Sequence, residues 1–273
     1  MTALAGIEKP LVAMIHLPPL PGAANYDGTP VREMARHAAA EARLLEEAGF
    51  DGLMIQNTHD RPPRVHLPAG TTAAMAAITS AVREEVNFDI GVNAHKNDAE
   101  AALAVAASAG ASFVRIKVLV GAVIGPEGII EGSASVALDI RREYAGGIEI
   151  WADLYELTSW PLAPTSLQNT ADLATRFGQA DRLIVTDPTV EASQAAVQEV
   201  RVASSLPVLI GGRTTAETVG AALNSADGVI VGTCLRHSAR TDQPLDPEAV
   251  RRFMDAVRST HGNENSGTTP RDS

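Results

Sequence analysis

The sequence contains little cysteine and little positive charge. Cys234 is the single cysteine among 273 residues, so an intramolecular disulfide is excluded and a cytoplasmic location is expected. The 22 lysines and arginines are outnumbered by 33 aspartates and glutamates, which gives a formal net charge of −11. We do not expect a chain with this balance to bind nucleic acid or an anionic membrane surface through charge alone.

Long hydrophobic runs are also missing. The most apolar segment, residues 99–114, includes Glu100 and a glycine and leads into Arg115 and Lys117. It predicts a helix, a turn and the start of a strand, so no integral membrane segment is expected. The first residues have no basic start followed by an apolar run, so no signal peptide is expected. Residues 261–273 are polar and predict a disordered tail behind one domain over residues 1–260.

Short apolar runs alternate with Ala-rich amphipathic segments along the chain. The runs predict strands at 11–17, 52–57, 90–94, 113–117, 149–154, 182–187, 207–212 and 228–233. The segments between them predict helices at 30–48, 70–85, 98–109, 133–145, 166–177, 191–204, 215–224 and 247–259. Eight strands, each followed by a helix, favour an α/β fold with a single (β/α)8 TIM barrel. A doubly wound sheet is the alternative, although no GxGxxG follows the first strand.

Helix-boundary residues agree with this alternation. Gly49 and Gly110 follow two predicted helices, where a left-handed C-terminal cap is common. Residues that favour a helix start precede five of the segments, at Asn97-Asp98, Ser133, Thr165-Ser166, Thr214-Thr215 and Asp246-Pro247.

The fourth predicted strand, in FVRIKVLVG (113–121), carries two cations. Arg115 and Lys117 are two residues apart, which places both on one face of a strand. In a barrel that face points inward, towards the mouth at the carboxyl end of the strands. The chain uses lysine at only three positions, 9, 96 and 117. A buried lysine suits base or Schiff-base chemistry, so Lys117 is the strongest candidate for a catalytic residue, and a structural ion pair with Asp153 is the alternative.

Other polar residues recur where the predicted strands end. His16, Arg115 and Asp153 join Lys117 as candidate catalytic residues. Asn57 and Asn93 are candidate substrate-binding residues, with the alternative that they only hold loops together. His16 also has a structural alternative as a hydrogen-bonded histidine, and Asp153 as a helix cap.

Glycine-rich turns follow the last two predicted strands. In TIM barrels these two loops commonly bind a phosphate group, because glycines let backbone N–H groups approach the oxygens. We therefore predict phosphate binding by Gly211, Gly212, Arg213, Thr214, Gly232 and Thr233, with ordinary tight turns as the alternative. No cofactor is predicted and no metal cluster stands out, although Mg²⁺ could be bound by some of Asp60, Asp98, Glu131 and Asp153.

Six stretches of the chain resemble the BtpA/SgcQ family over residues 7–258. They are MIHLPPLPGA (14–23), NDAEAALAVAASAGASFVRIKV (97–118), GIIEG (128–132), WADL (151–154), PLAPTSL (161–167) and ADGVIVGT (226–233). The resemblance implies a TIM barrel. It also implies two different kinds of function, because the family is named for photosystem I biogenesis while some relatives are encoded beside genes of carbohydrate metabolism.

The chain departs from the family pattern at candidate acid–base positions. Gln56 stands where the family has Glu, Leu119 where it has His, and Leu157-Thr158 where it has Lys-His. The family's Gly-Ser-Gly turn becomes Gly211-Gly212-Arg213, and His59 and His95 are candidates to compensate for the lost groups. The family positions that match are His16, Asn57, Asn93, Asn97, Asp98, Arg115, Lys117, Glu131 and Asp153.

Three functions therefore remain open. The leading hypothesis is an enzyme that acts on a small phosphorylated metabolite such as a sugar phosphate, by isomerisation, epimerisation, aldol cleavage or glycosidic cleavage. The second is a non-catalytic assembly or stability factor of the photosystem I biogenesis type. The third is a barrel that has lost its chemistry and still binds the ligand. A homo-oligomer is expected only because barrels of this size often associate.

Overall fold

The chain folds into a closed barrel of parallel strands, which confirms the predicted fold. The computed structural model describes residues 3–155 and 157–264. The strands of this part, in chain order, are β1 (Leu11–His16), β2 (Gly52–Gln56), β3 (Asp89–Asn93), β4 (Phe113–Ile116), β5 (Ala122–Gly125), β6 (Gly128–Glu131), β7 (Glu149–Asp153), β8 (Trp160–Pro161), β9 (Arg182–Val185), β10 (Val208–Gly211) and β11 (Val229–Val231). The barrel has the closed order β1-β11-β10-β9-β7-β4-β3-β2.

Helices surround the barrel at the predicted positions. They are α1 (Val31–Ala48), α2 (Ala69–Glu85), α3 (Ala99–Ala109), α4 (Ala134–Glu143), α5 (Leu167–Arg176), α6 (Val190–Arg201), α7 (Val219–Ser225) and α8 (Pro247–Glu264). Helix α8 continues past the predicted domain end at residue 260, and residues 265–273 of the predicted tail lie outside the described residues. Within the part that the structure describes, no helix is both long and apolar enough to cross a membrane.

Capping residues explain several helix boundaries. Gly49 and Gly110 end α1 and α3 in the left-handed conformation, with φ of 98° and 72°. The side chain of Asp98 accepts a hydrogen bond from Ala101 N at the start of α3. The predicted start at Thr214-Thr215 is wrong by four residues, because the Thr215 backbone N–H donates to Thr218 Oγ1 in a turn and α7 begins at Val219.

The barrel interior is layered along the strands. Its apolar layer includes Met14, Phe113, Trp151 and Ile230, and the rings of Phe113 and Trp151 stack with centroids 3.8 Å apart. Strand side chains alternate between the interior and the helices, so residues two positions further along a strand also point inward. The next inward positions on these four strands are polar or glycine: His16, Arg115, Asp153 and Gly232. Because the residues of the apolar layer point into the barrel, the candidate site residues two positions further along the same strands also point into it.

The floor of the barrel is closed by a buried polar network. Glu149 accepts hydrogen bonds from Ala3 N (3.1 Å) and Trp151 Nε1 (2.8 Å), and its carboxylate lies 3.3 Å from Arg182 Nε. Arg182 also donates to the carbonyl of Ala3 (3.0 Å), and Leu4 is buried beside this network. The N-terminal segment is thereby fixed across the end of the barrel opposite the candidate site.

A three-stranded antiparallel sheet, which the sequence did not predict, lies outside the barrel in the order β6-β5-β8. It is built from the connections after β4 and β7. Ile124 pairs with Ile129 and Trp160, and all three side chains are exposed. Ile130, opposite Val123, is fully buried, so the other face of this sheet turns towards the barrel.

Candidate functional site

Arg115 and Lys117 both point to the carboxyl end of the barrel interior, around Asp153. Arg115 Nε and Nη2 donate to the two carboxylate oxygens of Asp153, each over 2.7 Å, and Lys117 Nζ lies 4.0 Å from Asp153 Oδ2. The Asp153 side chain is wholly buried. A bidentate pair of this kind holds a guanidinium in one orientation. Asp153 therefore supplies the counter-charge that lets two cations occupy the interior of the barrel.

A cavity of about 570 Å³ lies above this cluster. We call it the cationic cavity, because its charged lining side chains in the described chain are Arg115, Lys117 and Arg213, with no aspartate or glutamate among them. The structure brings together most of the predicted site residues in its lining: His16, Arg115, Lys117, Gly211, Gly212, Arg213, Thr214, Gly232 and Thr233.

The turn after β10 presents backbone and a buried hydroxyl to the cationic cavity. Gly212 and Arg213 are both left-handed, with φ of 108° and 61°. Arg213 holds this conformation without the freedom of a glycine, which costs backbone free energy of order 1 kcal/mol. Thr214 is 2% exposed, and its hydroxyl has no hydrogen-bond partner among the described residues. A buried donor without a partner at a cavity wall is suited to an anionic ligand.

The turn after β11 forms the adjoining part of the cavity wall, because β10 and β11 are neighbouring strands. A Cβ atom added to Gly232 would lie 2.6 Å from His16 Nε2, so only glycine permits this approach. Thr233 begins a short 3-10 turn, Thr233–Leu235. Burial raises the pKa of the Cys234 thiol to about 11, so this cysteine is a protonated wall residue and a poor nucleophile at neutral pH.

His16 lies at the end of β1 with one ring nitrogen fixed and the other facing the cavity wall. Its Nδ1 is 2.8 Å from Thr58 Oγ1, and its buried Nε2 has no partner among the described residues. Burial lowers the pKa of His16 to about 3, and the neighbouring Arg236, His59 and Arg115 act in the same direction. The imidazole is therefore neutral at physiological pH.

We expect His16 to make folding stability depend on pH. Its pKa is about 3 in the folded state and near 6.5 in the unfolded state, so between these values only the unfolded chain takes up the proton. The neutral His16 therefore contributes fully to the free energy of unfolding above pH 6.5. This contribution is lost as the pH falls, and the free energy of unfolding should drop by about 2 kcal/mol between pH 7.5 and pH 5. Urea unfolding at both pH values should show a smaller loss for His16→Gln than for the wild type. Equal losses in the two proteins would contradict the depressed pKa.

Asn57 and Asn93 are not part of the cavity lining. Asn57 is fully buried, donates to Asp60 Oδ2 (2.8 Å) and accepts from His95 N (2.7 Å). Asn93 donates to the carbonyl of Arg115 over 2.6 Å. These hydrogen bonds hold loops and strand ends in place, while Asn93 Oδ1 is buried and has no partner among the described residues.

Comparison with known proteins settles the family. The model of the BtpA family matches residues 7–259. The chain belongs to the BtpA family. The photosystem I biogenesis protein BtpA of Synechocystis sp. is 30% identical over 257 residues, which cover 92% of this chain and 88% of the relative. An uncharacterized protein of Pyrococcus furiosus is 32% identical over 247 residues, covering 89% of this chain and 93% of the relative.

A solved barrel shows the same fold at low identity. Thiamine phosphate pyrophosphorylase from Pyrococcus furiosus superposes with a TM-score of 0.58 at 15% identity, covering 93% of this chain and 96% of that one. Such a likeness carries information about the fold alone.

The positions where the chain departs from the BtpA-family pattern fall in different places. Gln56, Leu157 and Thr158 line the cationic cavity, so those substitutions alter its surface. Leu119 is fully buried and is not in the cavity lining. His59 and His95 are also outside that lining, and His59 Nε2 lies 3.0 Å from the carbonyl of Thr241.

Two of the carboxylates considered for Mg²⁺, Asp60 and Asp98, are engaged by hydrogen bonds within this BtpA-family barrel. Over residues 3–155 and 157–264, no three His, Cys, Asp or Glu side chains form a group that could hold a metal ion. Asp60 accepts from Leu20 N and Asn57, while Asp98 accepts from Leu67 N and Ala101 N. These hydrogen bonds hold loops and cap α3, which explains why the two residues are buried.

Thr58, Thr186 and Thr158 belong to the site and were not among the predicted site residues. Thr58 holds His16, while Thr186 and Thr158 line the cationic cavity. Thr186 could have been predicted, because it lies one residue before the end of the sixth predicted strand, 182–187. Thr58 and Thr158 lie in connections, where sequence spacing does not show which side chain turns towards the barrel.

Proposed function

We propose that this chain is an enzyme acting on a small phosphorylated metabolite, such as a sugar phosphate, at the carboxyl end of its barrel. The charge of the cationic cavity carries the proposal. Its charged lining side chains in the described chain are three cations, Arg115, Lys117 and Arg213, although the whole protein has a net charge of −11. An acidic protein that gathers cations around one concave site is suited to an anionic ligand.

The phosphate group belongs, in this proposal, between the turns after β10 and β11. The left-handed pair Gly212-Arg213 opens the backbone towards the cavity, and the buried Thr214 hydroxyl is available to donate. Gly232 brings the second turn close to His16. Backbone N–H groups, one hydroxyl and one guanidinium are the donors that phosphate oxygens accept from in other proteins.

The reacting end of the ligand then lies over Arg115, Lys117 and His16. The two cations would stabilise negative charge that develops on a substrate oxygen, a requirement shared by isomerisation, epimerisation and aldol cleavage. The imidazole of His16 is neutral, so it can hydrogen-bond a substrate oxygen or hydroxyl through Nε2 without adding charge to the site. Both oxygens of Asp153 are engaged by Arg115, so we assign Asp153 as a positioning residue for the two cations.

A barrel that binds the ligand without turning it over is the second candidate. Leu157 and Thr158 line the cationic cavity at positions where the family pattern has a lysine and a histidine. A cavity mouth with fewer acid–base groups than the family pattern favours a protein that binds a ligand without catalysing a reaction. The Synechocystis relative is named for photosystem I biogenesis, so a role as an assembly factor belongs to this second class.

Arg213→Ala is expected to weaken binding of a phosphorylated ligand by roughly tenfold to a hundredfold, because a hydrogen bond to a charged group contributes about 1.5–3 kcal/mol. Alanine keeps the Cβ atom, so the left-handed backbone is equally disfavoured in both proteins. A thermal-shift screen against phosphorylated sugars, with and without Mg²⁺, should identify a stabilising ligand, and calorimetry should measure its affinity.

Arg142→Ala is the matched control. Arg142 lies on the outside of the barrel in an exposed pair with Asp139, so the variant removes one positive charge far from the cavity. It should leave the affinity unchanged within about twofold. Equal affinities of the wild type and Arg213→Ala for the ligand would show that the phosphate group does not bind at the turn after β10. Tight binding without turnover would favour the second candidate.

A further inference from the structure

A second cavity of about 310 Å³ lies beside Lys117. It is bounded by the residues that follow β4 and β7, by the small sheet β6-β5-β8 and by α5. We call it the apolar cavity, because valine, leucine, proline and alanine side chains make up most of its wall. Its charged lining side chains in the described chain are Lys117 and Asp153.

The apolar cavity and the cationic cavity meet at one residue. Lys117 lines both of them, and Asp153 lies beneath its ammonium group at 4.0 Å. One side of Lys117 therefore faces cations and polar backbone, and the other side faces apolar side chains. Lys117 is therefore the residue through which one ligand would contact both cavities.

The small sheet gives the apolar cavity a defined wall. Val123 lines it and pairs with the fully buried Ile130, so this face of β5 turns inward. Ile124, the next residue, pairs with Ile129 and Trp160 on the outer, exposed face. Leu173 of α5 and Leu154 after β7 also line the cavity. The inward row of the sheet thus forms part of a ligand-sized apolar wall.

We propose that the apolar cavity is a second subsite, which receives an uncharged, mainly apolar group of the same ligand whose phosphate is bound by the cationic cavity. The inference rests on the proposed function and narrows its substrate class: a phosphorylated compound that also carries a ring or short alkyl group. The size fits, since an apolar cavity of about 150 Å³ is known to hold one benzene ring. Ligand sites generally combine such apolar walls with a few placed polar groups.

Isothermal titration calorimetry of the full chain with three probes tests this subsite. The probes are inorganic phosphate, glycerol phosphate and 1-naphthyl phosphate, which share the anion and differ in the attached group. The wild type should bind 1-naphthyl phosphate roughly tenfold or more tightly than the other two, because the rings leave water for an apolar wall.

Variants on opposite faces of β5 separate the subsite from the phosphate site. Val123→Phe should abolish the preference for 1-naphthyl phosphate while leaving the affinity for inorganic phosphate within about twofold. Ile124→Phe adds a ring of the same size on the outer face and should leave all three affinities unchanged. Thr170→Phe approaches the cavity from α5, where the Thr170 hydroxyl donates to the Ser166 carbonyl of the same helix turn, and provides a second test if Val123→Phe does not fold.

The outcomes distinguish this inference from the proposed function. If all three probes bind equally and Arg213→Ala weakens them all, the phosphate site stands and the apolar subsite is overturned. If the preference exists and survives both Val123→Phe and Thr170→Phe, the rings bind elsewhere and the inference is also overturned. If none of the probes binds, the proposed function fails and this inference fails with it.

Discussion

Replacing Glu149 with alanine is expected to lower the free energy of unfolding by about 3–5 kcal/mol. The carboxylate has three partners at the barrel floor: Arg182, the indole N–H of Trp151 and the backbone N–H of Ala3. The substitution leaves a buried guanidinium without its counter-charge and two buried donors without an acceptor. Urea denaturation of the purified variant measures the loss, with the midpoint and the slope fitted separately.

Glu85→Ala provides the comparison at the protein surface. Glu85 also pairs with an arginine, Arg43, but both side chains are nearly half exposed. Solvent screens that pair, so its loss should cost less than about 1 kcal/mol. Similar losses in Glu149→Ala and Glu85→Ala would show that the floor network does not stabilise the fold. Both pairs join a glutamate to an arginine, so the larger loss expected for Glu149→Ala depends on the burial of its carboxylate and partners.

Residue alternation explains why much of the candidate site was visible in the sequence. Arg115 and Lys117 are two residues apart on a strand, so both had to lie on the inner face once a barrel was assumed. The turns at Gly211–Thr214 and Gly232-Thr233 follow two strands whose position in a TIM barrel is fixed by chain order. The local spacing of residues and the barrel topology together are sufficient to predict that these residues lie at the candidate site.

The small sheet and the hydrogen bonds of the two asparagines could not be predicted, because the sequence does not identify the partner strands and partner groups. Strands β5, β6 and β8 are two to four residues long, and β8 pairs with a strand more than thirty residues earlier. Segments that short have no measurable periodicity. Asn57 and Asn93 follow strands as catalytic residues do, but Asn57 bonds the backbone of His95 and the side chain of Asp60, and the Asn93 amide N–H donates to the carbonyl of Arg115. Only the three-dimensional arrangement of those groups separates structural amides from ligand-binding ones.

Asp153→Ala is expected to have a comparably large effect at the opposite end of the barrel. Arg115 is 6% exposed and Lys117 11%, and Asp153 is the carboxylate that both contact. Its removal takes away a wholly buried carboxylate that both cations contact, and the free energy of unfolding should fall by about 3–5 kcal/mol in a buffer without multivalent anions. Inorganic phosphate should restore more stability to this variant than it adds to the wild type, because an anion in the cationic cavity then supplies the missing counter-charge.

The double variant Arg115→Met/Asp153→Leu tests the origin of that loss. If the loss of the Arg115–Asp153 ion pair is the cause, removing both partners should cost less than removing Asp153 alone, and the double-mutant cycle should give a coupling energy above about 1 kcal/mol. Phosphate should then add less stability to the double variant than to Asp153→Ala. A double variant as unstable as Asp153→Ala, with no difference in its response to phosphate, would mean that the carboxylate acts through packing. In that case the charges of Arg115 and Lys117 would give no support to the proposal that the cavity binds an anionic ligand.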